Sequence, residues 1–197
     1  MKKVLALMGS PRKGKNTDLL LEYLLDGLNN EEYNIEKINL VDKKINYCTG
    51  CDYCGHVEAC VEKDDMTYLY EGFDTSDIII LAAPIYFNSV NGLTKNMVDR
   101  CQRYWSLKYS LGKKYRNTED RLGIFLAVGG APYTFEQFNA SIPVIDFFFK
   151  AINATYKGNY FVSNTDELSI YKRPEIKEEL YAIGRNIQQI KDFYIQR

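Results

Sequence analysis

Four of the five cysteines of this chain fall within thirteen residues, as Cys48-x2-Cys51-x2-Cys54-x5-Cys60. A compact C-x2-C-x2-C run lets one stretch of backbone wrap several thiolates around a single small object, which is what a [4Fe–4S] cluster requires. Structural zinc sites more often use two separated C-x2-C knuckles. Gly50 and Gly55 help the backbone fold close and turn N–H groups toward sulfur. The last gap is five residues, against three in the bacterial ferredoxin run, and Val61 stands where that run has proline. In two-cluster ferredoxins the fourth cysteine serves the other cluster. With no second cluster motif here, a longer loop suits the return of Cys60 to the same centre. Bound zinc and free or redox-active thiols are the alternatives for Cys48, Cys51, Cys54 and Cys60. His56, the only histidine, reads as a surface residue, and Cys101, in register with Leu93 and Met97, as core.

A second candidate site is the turn Gly9-Ser-Pro-Arg-Lys-Gly-Lys-Asn-Thr17. It follows a short apolar run and opens a helix, so backbone N–H groups and the helix dipole face an anion there. Ser10, Asn16 and Thr17 are neutral donors, Lys15 is a cation, and Arg12 can grip a phosphate bidentately. Gly9 to Lys15 also begins the nucleoside-triphosphate pattern G-x-x-x-x-G-K-[ST], but Asn16 occupies the position of the magnesium-binding hydroxyl. A P-loop nucleotide hydrolase is therefore the weaker reading. A third segment, Pro84-Ile-Tyr-Phe-Asn-Ser-Val90, offers flat and apolar walls from Ile85, Tyr86, Phe87 and Val90, with Asn88 where backbone donors can address a ring edge. That is what a planar cofactor with a polar rim needs.

The elements that must carry these loops can be read from hydrophobic periodicity. Residues 4–8 and 77–83 are continuous apolar runs, as in strands covered on both faces, and 122–128 is another, ended by Gly129-Gly130. Ile35–Val41 and Tyr160–Val162 supply two shorter strands. Between them, Leu20, Leu21, Leu24, Leu25 and Leu28 recur at helical spacing, with Gly27 and Asn29-Asn30 predicted to stop the helix. Further helices are predicted behind Asp64, along Leu93–Cys101, from Phe135 to about residue 153, and from Pro174 through Tyr194. Residues 106–121 read as a polar surface excursion. Strand and helix thus alternate five times, which means a doubly wound α/β domain over residues 1–197 with a five-stranded parallel sheet. In such sheets ligands bind beyond the carboxyl ends of the strands. The predicted ligand loops are those after strands one, three and four.

Taken in order along nearly the whole chain, these segments resemble the NADPH-dependent FMN reductase group of the flavodoxin-like superfamily. Gly-Ser-Pro-Arg-Lys-x-x-Asn-Thr resembles its FMN phosphate loop. Pro84–Val90, followed by Leu93-Thr94-Lys95 and Asp99-Arg100, resembles its Pro-x-Tyr loop along the isoalloxazine ring. Gly129-Gly130-Ala131 is a third, weaker match. The family often has glycine before Asn-Thr, whereas here Lys15 stands there and the glycine is Gly14, which brings Lys15 toward the phosphate. The cysteine motif after the second strand resembles the iron–sulfur flavoproteins. The resemblance implies strand order 2-1-3-4-5, FMN and a [4Fe–4S] cluster. It implies NAD(P)H or a redox protein as donor, a small molecule or protein as acceptor, and a homodimer or homotetramer. A non-enzymatic electron carrier of the same fold and a zinc-stapled binding module are the remaining alternatives.

Composition sets outer limits. Net charge is −1 and 46% of residues are hydrophobic, which gives no reason to expect nucleic acid or an anionic membrane as partner. The start Met1-Lys2-Lys3 with its short apolar run ends in a Gly-Ser-Pro-Arg turn, which predicts a first strand, not a signal peptide, and a cytoplasmic protein. Tyr104 and Trp105 are candidate contacts between subunits.

Overall fold

The computed structural model describes residues 1–28, 31–116 and 121–197. In chain order the elements are β1 (Lys2–Met8), α1 (Asn16–Leu28), β2 (Tyr33–Asn39), α2 (Met66–Thr75), β3 (Ile78–Tyr86) and β4 (Ser89–Val90). There follow α3 (Gly92–Arg100), α4 (Gln102–Tyr109), β5 (Leu122–Val128), α5 (Ser141–Ala151), β6 (Thr155–Val162), α6 (Pro174–Arg185) and β7 (Phe193–Gln196). The sheet runs β2-β1-β3-β5-β6-β7, with all these neighbours parallel, while β4 folds back antiparallel on the end of β3.

Alternate residues of each central strand feed two separate cores. Leu5, Leu7, Ile79, Leu81 and Phe125 point to the face covered by Met66, Leu69 and Phe73 of α2 and by Ile145, Phe148 and Phe149 of α5. Val4, Ala6, Met8, Ile78, Ile80, Ile124 and Leu126 point to the other, covered by the leucines of α1 and by Ile176, Leu180 and Ile183 of α6. Burial on both faces explains why these strands read as unbroken apolar runs.

The sheet has seven strands where the sequence pattern predicts five. The two-residue β4 is invisible to any periodicity. The other is β7: the helical spacing that continues through Ile187, Ile190 and Tyr194 is broken after Arg185. Phe193-Tyr194-Ile195-Gln196 instead alternates half-buried and exposed side chains beside β6. Phe135 is 83% exposed and precedes Glu136 at φ 64°, so the fifth helix begins at Ser141, not Phe135. Within the predicted surface excursion 106–121, Ser106, Leu107 and Arg121 are buried, and Tyr115 and Arg116 bond back to Asp74, Ser76 and Asp77, so of the described residues only those around 109–114 lie mostly at the surface. Tyr104 is fully buried and donates to Asp74, which removes it as a subunit contact. Asn29 and Asn30, predicted as a helix stop, and residues 117–120 lie outside the described residues. Among the described residues no helix is long and apolar enough to cross a membrane.

Gly27 does not stop α1 but lies within it, where α1 meets α6. A Cβ on Gly27 would sit 2.2 Å from the Tyr181 carbonyl oxygen, and one on Gly184 would sit 2.3 Å from that of Leu24. Alanine gains about 1 kcal/mol of helix propensity over glycine. Here that gain is outweighed by backbone-to-backbone overlap, for which overpacking costs of about 1–3 kcal/mol are typical. Gly27→Ala is expected to lower stability in urea unfolding, whereas Gly92→Ala, with open space around its site, is expected not to.

Candidate functional site

The loops after β1, β3, β5 and β6 all emerge at the carboxyl edge of the sheet, on either side of the point where the chain reverses strand order between β1 and β3. They enclose a cleft of about 280 Å3. Ser10, Arg12, Lys15, Asn16 and Thr17 border it on one side, Pro84, Ile85 and Tyr86 on another, and Gly130 on a third. The turn and the Pro84 segment, 67 residues or more apart in sequence, thus face the same space.

The turn is held by its own polar groups. Ser10 Oγ accepts the Arg12 N–H at 3.1 Å, and Asp18 Oδ2 reaches back to the Gly14 N–H at 2.6 Å. Lys37 on β2 bridges Asp18, at 2.5 Å, and Glu22. Gly9 has no room for a side chain, since a Cβ would lie 2.2 Å from Thr94 Oγ1. Asn91 Nδ2 donates to the Gly9 carbonyl at 2.8 Å and so ties the turn to the segment after β4. What is left over is cationic and donor-rich. Lys13 pairs with Asp42, but Arg12 and Lys15 have no acidic partner among the described residues. Leu19 makes the first helical bond of α1, to Lys15, so the amides of Asn16, Thr17 and Asp18 precede any intrahelical acceptor. Thr17 is 4% exposed and its hydroxyl has no protein partner. Unused N–H groups, the hydroxyl of a largely buried threonine and two unpaired cations on one cleft fit a phosphate monoester.

Other expected contacts are placed differently. The Asn16 side chain is committed within the protein: Nδ2 donates to Thr165 O, and Oδ1 accepts from Ser169 Oγ and the Ile170 N–H. It can offer the cleft only its backbone amide. Phe87 and Asn88, at φ 51° and 59°, form the two-residue tip of the β3–β4 hairpin and do not line the cleft. Successive left-handed residues make this the type I′ turn that matches strand twist. Val90 is buried in the core below. Gly129 holds the loop itself, its carbonyl accepting from the N–H and hydroxyl of Thr165. Ala131, of the Gly129-Gly130-Ala131 match, also borders the cleft, as do Val128, Thr165 and Asp166, to which the sequence assigned no such role. The polar run Ser163-Asn164-Thr165-Asp166 directly after a predicted strand was the available signal, since every such loop lies at the same edge.

The four clustered cysteines line one separate pocket of about 410 Å3. Cys48 and Cys51 are exposed, and Cys54 and Cys60 half-buried. Left-handed Gly50 and Asp52, then a single 3-10 turn over Tyr53–Gly55, bend the loop around that space. Among the described residues no three His, Cys, Asp or Glu side chains converge on one point to hold a single metal ion. His56 is exposed beside Asp52, and Cys101 is buried in the core, its thiol pushed up by burial.

One buried ion pair closes the base of this loop. Arg100 Nη1 donates to Asp64 at 2.6 Å and to the Asn46 carbonyl at 3.0 Å, and Nη2 donates to Asp64 at 3.2 Å and to the Glu62 carbonyl at 3.4 Å. Asp64 also accepts the N–H groups of Asn46 and Met66, capping α2. A single guanidinium therefore joins both stems of the segment that carries the thiols.

An α/β sheet of flavodoxin type with a donor-rich turn beside a cleft at its carboxyl edge defines the general class. Within that class, the profile of the NADPH-dependent FMN reductase family matches residues 2–166, and the chain belongs to that family. It is 40% identical over 102 residues to an iron–sulfur flavoprotein of Archaeoglobus fulgidus, a match covering 52% of this chain and 46% of that one. It is 35% identical over 129 residues to an iron–sulfur flavoprotein of Methanocaldococcus jannaschii, covering 65% of this chain and 62% of that one. The matched regions thus span about half to two-thirds of those relatives. Among solved structures, a flavone reductase superposes with TM-score 0.70 at 18% identity, over 98% of this chain and 66% of that one. An FMN-dependent NADH-azoreductase from Bacillus anthracis does so with TM-score 0.67 at 13% identity, over 95% and 100%. At such identities these likenesses concern the fold.

The Arg100–Asp64 pair gives a direct test of the loop closure. Burial pushes the Asp64 carboxyl up, but the guanidinium and two backbone amides outweigh it and hold it below the usual carboxylate range. Arg100→Met, which strands a buried carboxylate, is expected to cost about 3–5 kcal/mol in urea unfolding at neutral pH. The pair contributes fully above the unfolded carboxyl's pKa, about 3.9. It is lost as pH falls through the lower folded value, so the gap to the parent protein narrows in acid.

Proposed function

We propose that this protein is an FMN-dependent oxidoreductase of the iron–sulfur flavoprotein type. It would take electrons from NAD(P)H, or from a reduced redox protein, and deliver them to a small-molecule or protein acceptor. The observation that carries the reading is the shared cleft of the Arg12 turn and the Pro84–Tyr86 segment, a phosphate grip set beside flat apolar walls. Family membership and the names of the relatives support the same reading. Arg12, Lys15, Thr17 and the first amides of α1 would hold the FMN phosphate. At about 280 Å3 the cleft falls just below the range of ligand pockets, ~300–1,000 Å3, so part of the flavin would lie across its mouth, against Tyr86. Bound there, the flavin supplies hydride and electron chemistry, and the protein's part is position and electrostatics.

Cys48, Cys51, Cys54 and Cys60 would hold a [4Fe–4S] cluster, for which four thiols around one pocket are the supporting geometry. A net charge of −1 gives no reason to add nucleic acid to the reading, and the working form would be a homodimer or homotetramer, as the family resemblance implies.

The decisive measurement is an anaerobic visible spectrum with iron and FMN quantified per chain; a colourless, flavin-free and iron-free protein sinks the proposal. Arg12→Ala is expected to weaken FMN binding about 10–100-fold, the worth of one charge-assisted hydrogen-bond pair. Unchanged affinity would remove the phosphate assignment. Cys51→Ser is expected to abolish iron incorporation with the flavin retained. Rapid reduction by NADPH in stopped flow separates an enzyme from a passive carrier of the same fold.

A further inference from the structure

Besides the thiols, the 410 Å3 pocket is bordered by Asp99, Gln102 and Ser106, three and four residues apart along α3 and α4. The opposite side of α4 is buried through Tyr104 and Leu107. The helix thus turns a polar stripe to the pocket, and it packs against the 3-10 turn that carries Cys54. On that stripe Ser106 is 4% exposed, and its Oγ lies 3.5 Å from Cys54 Sγ. A serine inside a helix commonly bonds to the carbonyl four residues back. Ser106 has no such bond: the sulfur is its hydroxyl's partner.

We infer that Ser106 is a positioning residue of the thiol pocket, whose hydroxyl donates to the Cys54 sulfur and favours the reduced state of the iron centre. This rests on the proposed reading of the four cysteines as cluster ligands. As a free thiol, Cys54 supplies the proton to Ser106 Oγ. Bound to iron the sulfur carries no proton, and the hydroxyl becomes the only possible donor of the pair. Reduction adds one electron to the centre and makes its sulfurs more negative, so a hydrogen bond to them strengthens on reduction and raises the potential. Ser106 keeps its proton throughout. α4 fixes the position of the Ser106 oxygen beside that sulfur before any metal arrives, and the hydroxyl proton turns to the sulfur once the thiol proton is lost.

The test compares wild type, Ser106→Ala and Ser106→Thr as purified holoproteins, titrated anaerobically with dithionite while the iron centre is followed by electron paramagnetic resonance. In Ser106→Ala, iron and FMN per chain are expected to match wild type. The one-electron equilibrium is expected to shift about tenfold toward the oxidised form, about 59 mV downward. Ser106→Thr, which keeps a hydroxyl, is expected to restore the wild-type potential. Loss of iron in Ser106→Ala with retention in Ser106→Thr would also support the hydroxyl as the positioning group. An unchanged potential at full iron content in Ser106→Ala would overturn the inference, as would equal loss of iron in both variants, which would make the site one of packing. Iron-free wild-type protein would instead defeat the reading of the cysteines, and this inference with it.

Discussion

The first turn of a helix cannot satisfy its own amides. In this protein that deficit is placed at the carboxyl end of a strand buried on both faces, beside the loops of three neighbouring strands. Asp18, Ser10 and Lys37 use short-range bonds to fix the turn without consuming the amides of Asn16 and Thr17. Asn91 and the Asn16 side chain lash it to the loops after β4 and β6. The sheet supplies the rigidity, and the donors left over define the chemistry.

The thiol pocket rests on a different device. It lies in a segment with little regular structure, and loops of that kind carry their own backbone polar groups to satisfy. Arg100 meets that need with one planar fork that donates to two carbonyls and a carboxylate on opposite stems. Because the guanidinium is buried, its partners are fixed by more than proximity: removing any one leaves a charge or a carbonyl without water. Asp18, Lys37 and Asn91 hold the cleft, and Arg100 the thiol pocket, from outside the lining of either.

Much of this was legible in the sequence, and the exceptions have physical causes. Val4–Met8, Ile78–Ala83 and Leu122–Val128 announce themselves because burial on two faces leaves no polar residue to interrupt them. The turn at Gly9–Thr17 is readable because its residue types are those an anion needs. β7 was hidden because Tyr194 falls at helical spacing from Ile187 and Ile190, while four residues are too few for the alternation of Phe193 and Ile195 to stand out. Gly27 looked like a helix stop because close helix contact and chain reversal both select glycine. Asn16 illustrates a limit of composition: its type fits a phosphate loop, yet its side chain is spent on Ser169 and Ile170, 150 residues away in sequence. Arg100 and Ser106 could not be assigned from pattern at all, since their importance comes from what a distant loop places against them.

The hairpin tip at Phe87-Asn88 has one more consequence. Two-residue connections of this kind admit a single backbone shape, and Phe87 holds it despite a left-handed φ that disfavours bulky side chains by about 1–2 kcal/mol. Its ring stands fully in solvent. The apex is thus stiff rather than floppy: its main-chain freedom is surrendered when the domain folds. A partner that touched Phe87 would meet a main chain already fixed by the turn, and would lose little to main-chain ordering there.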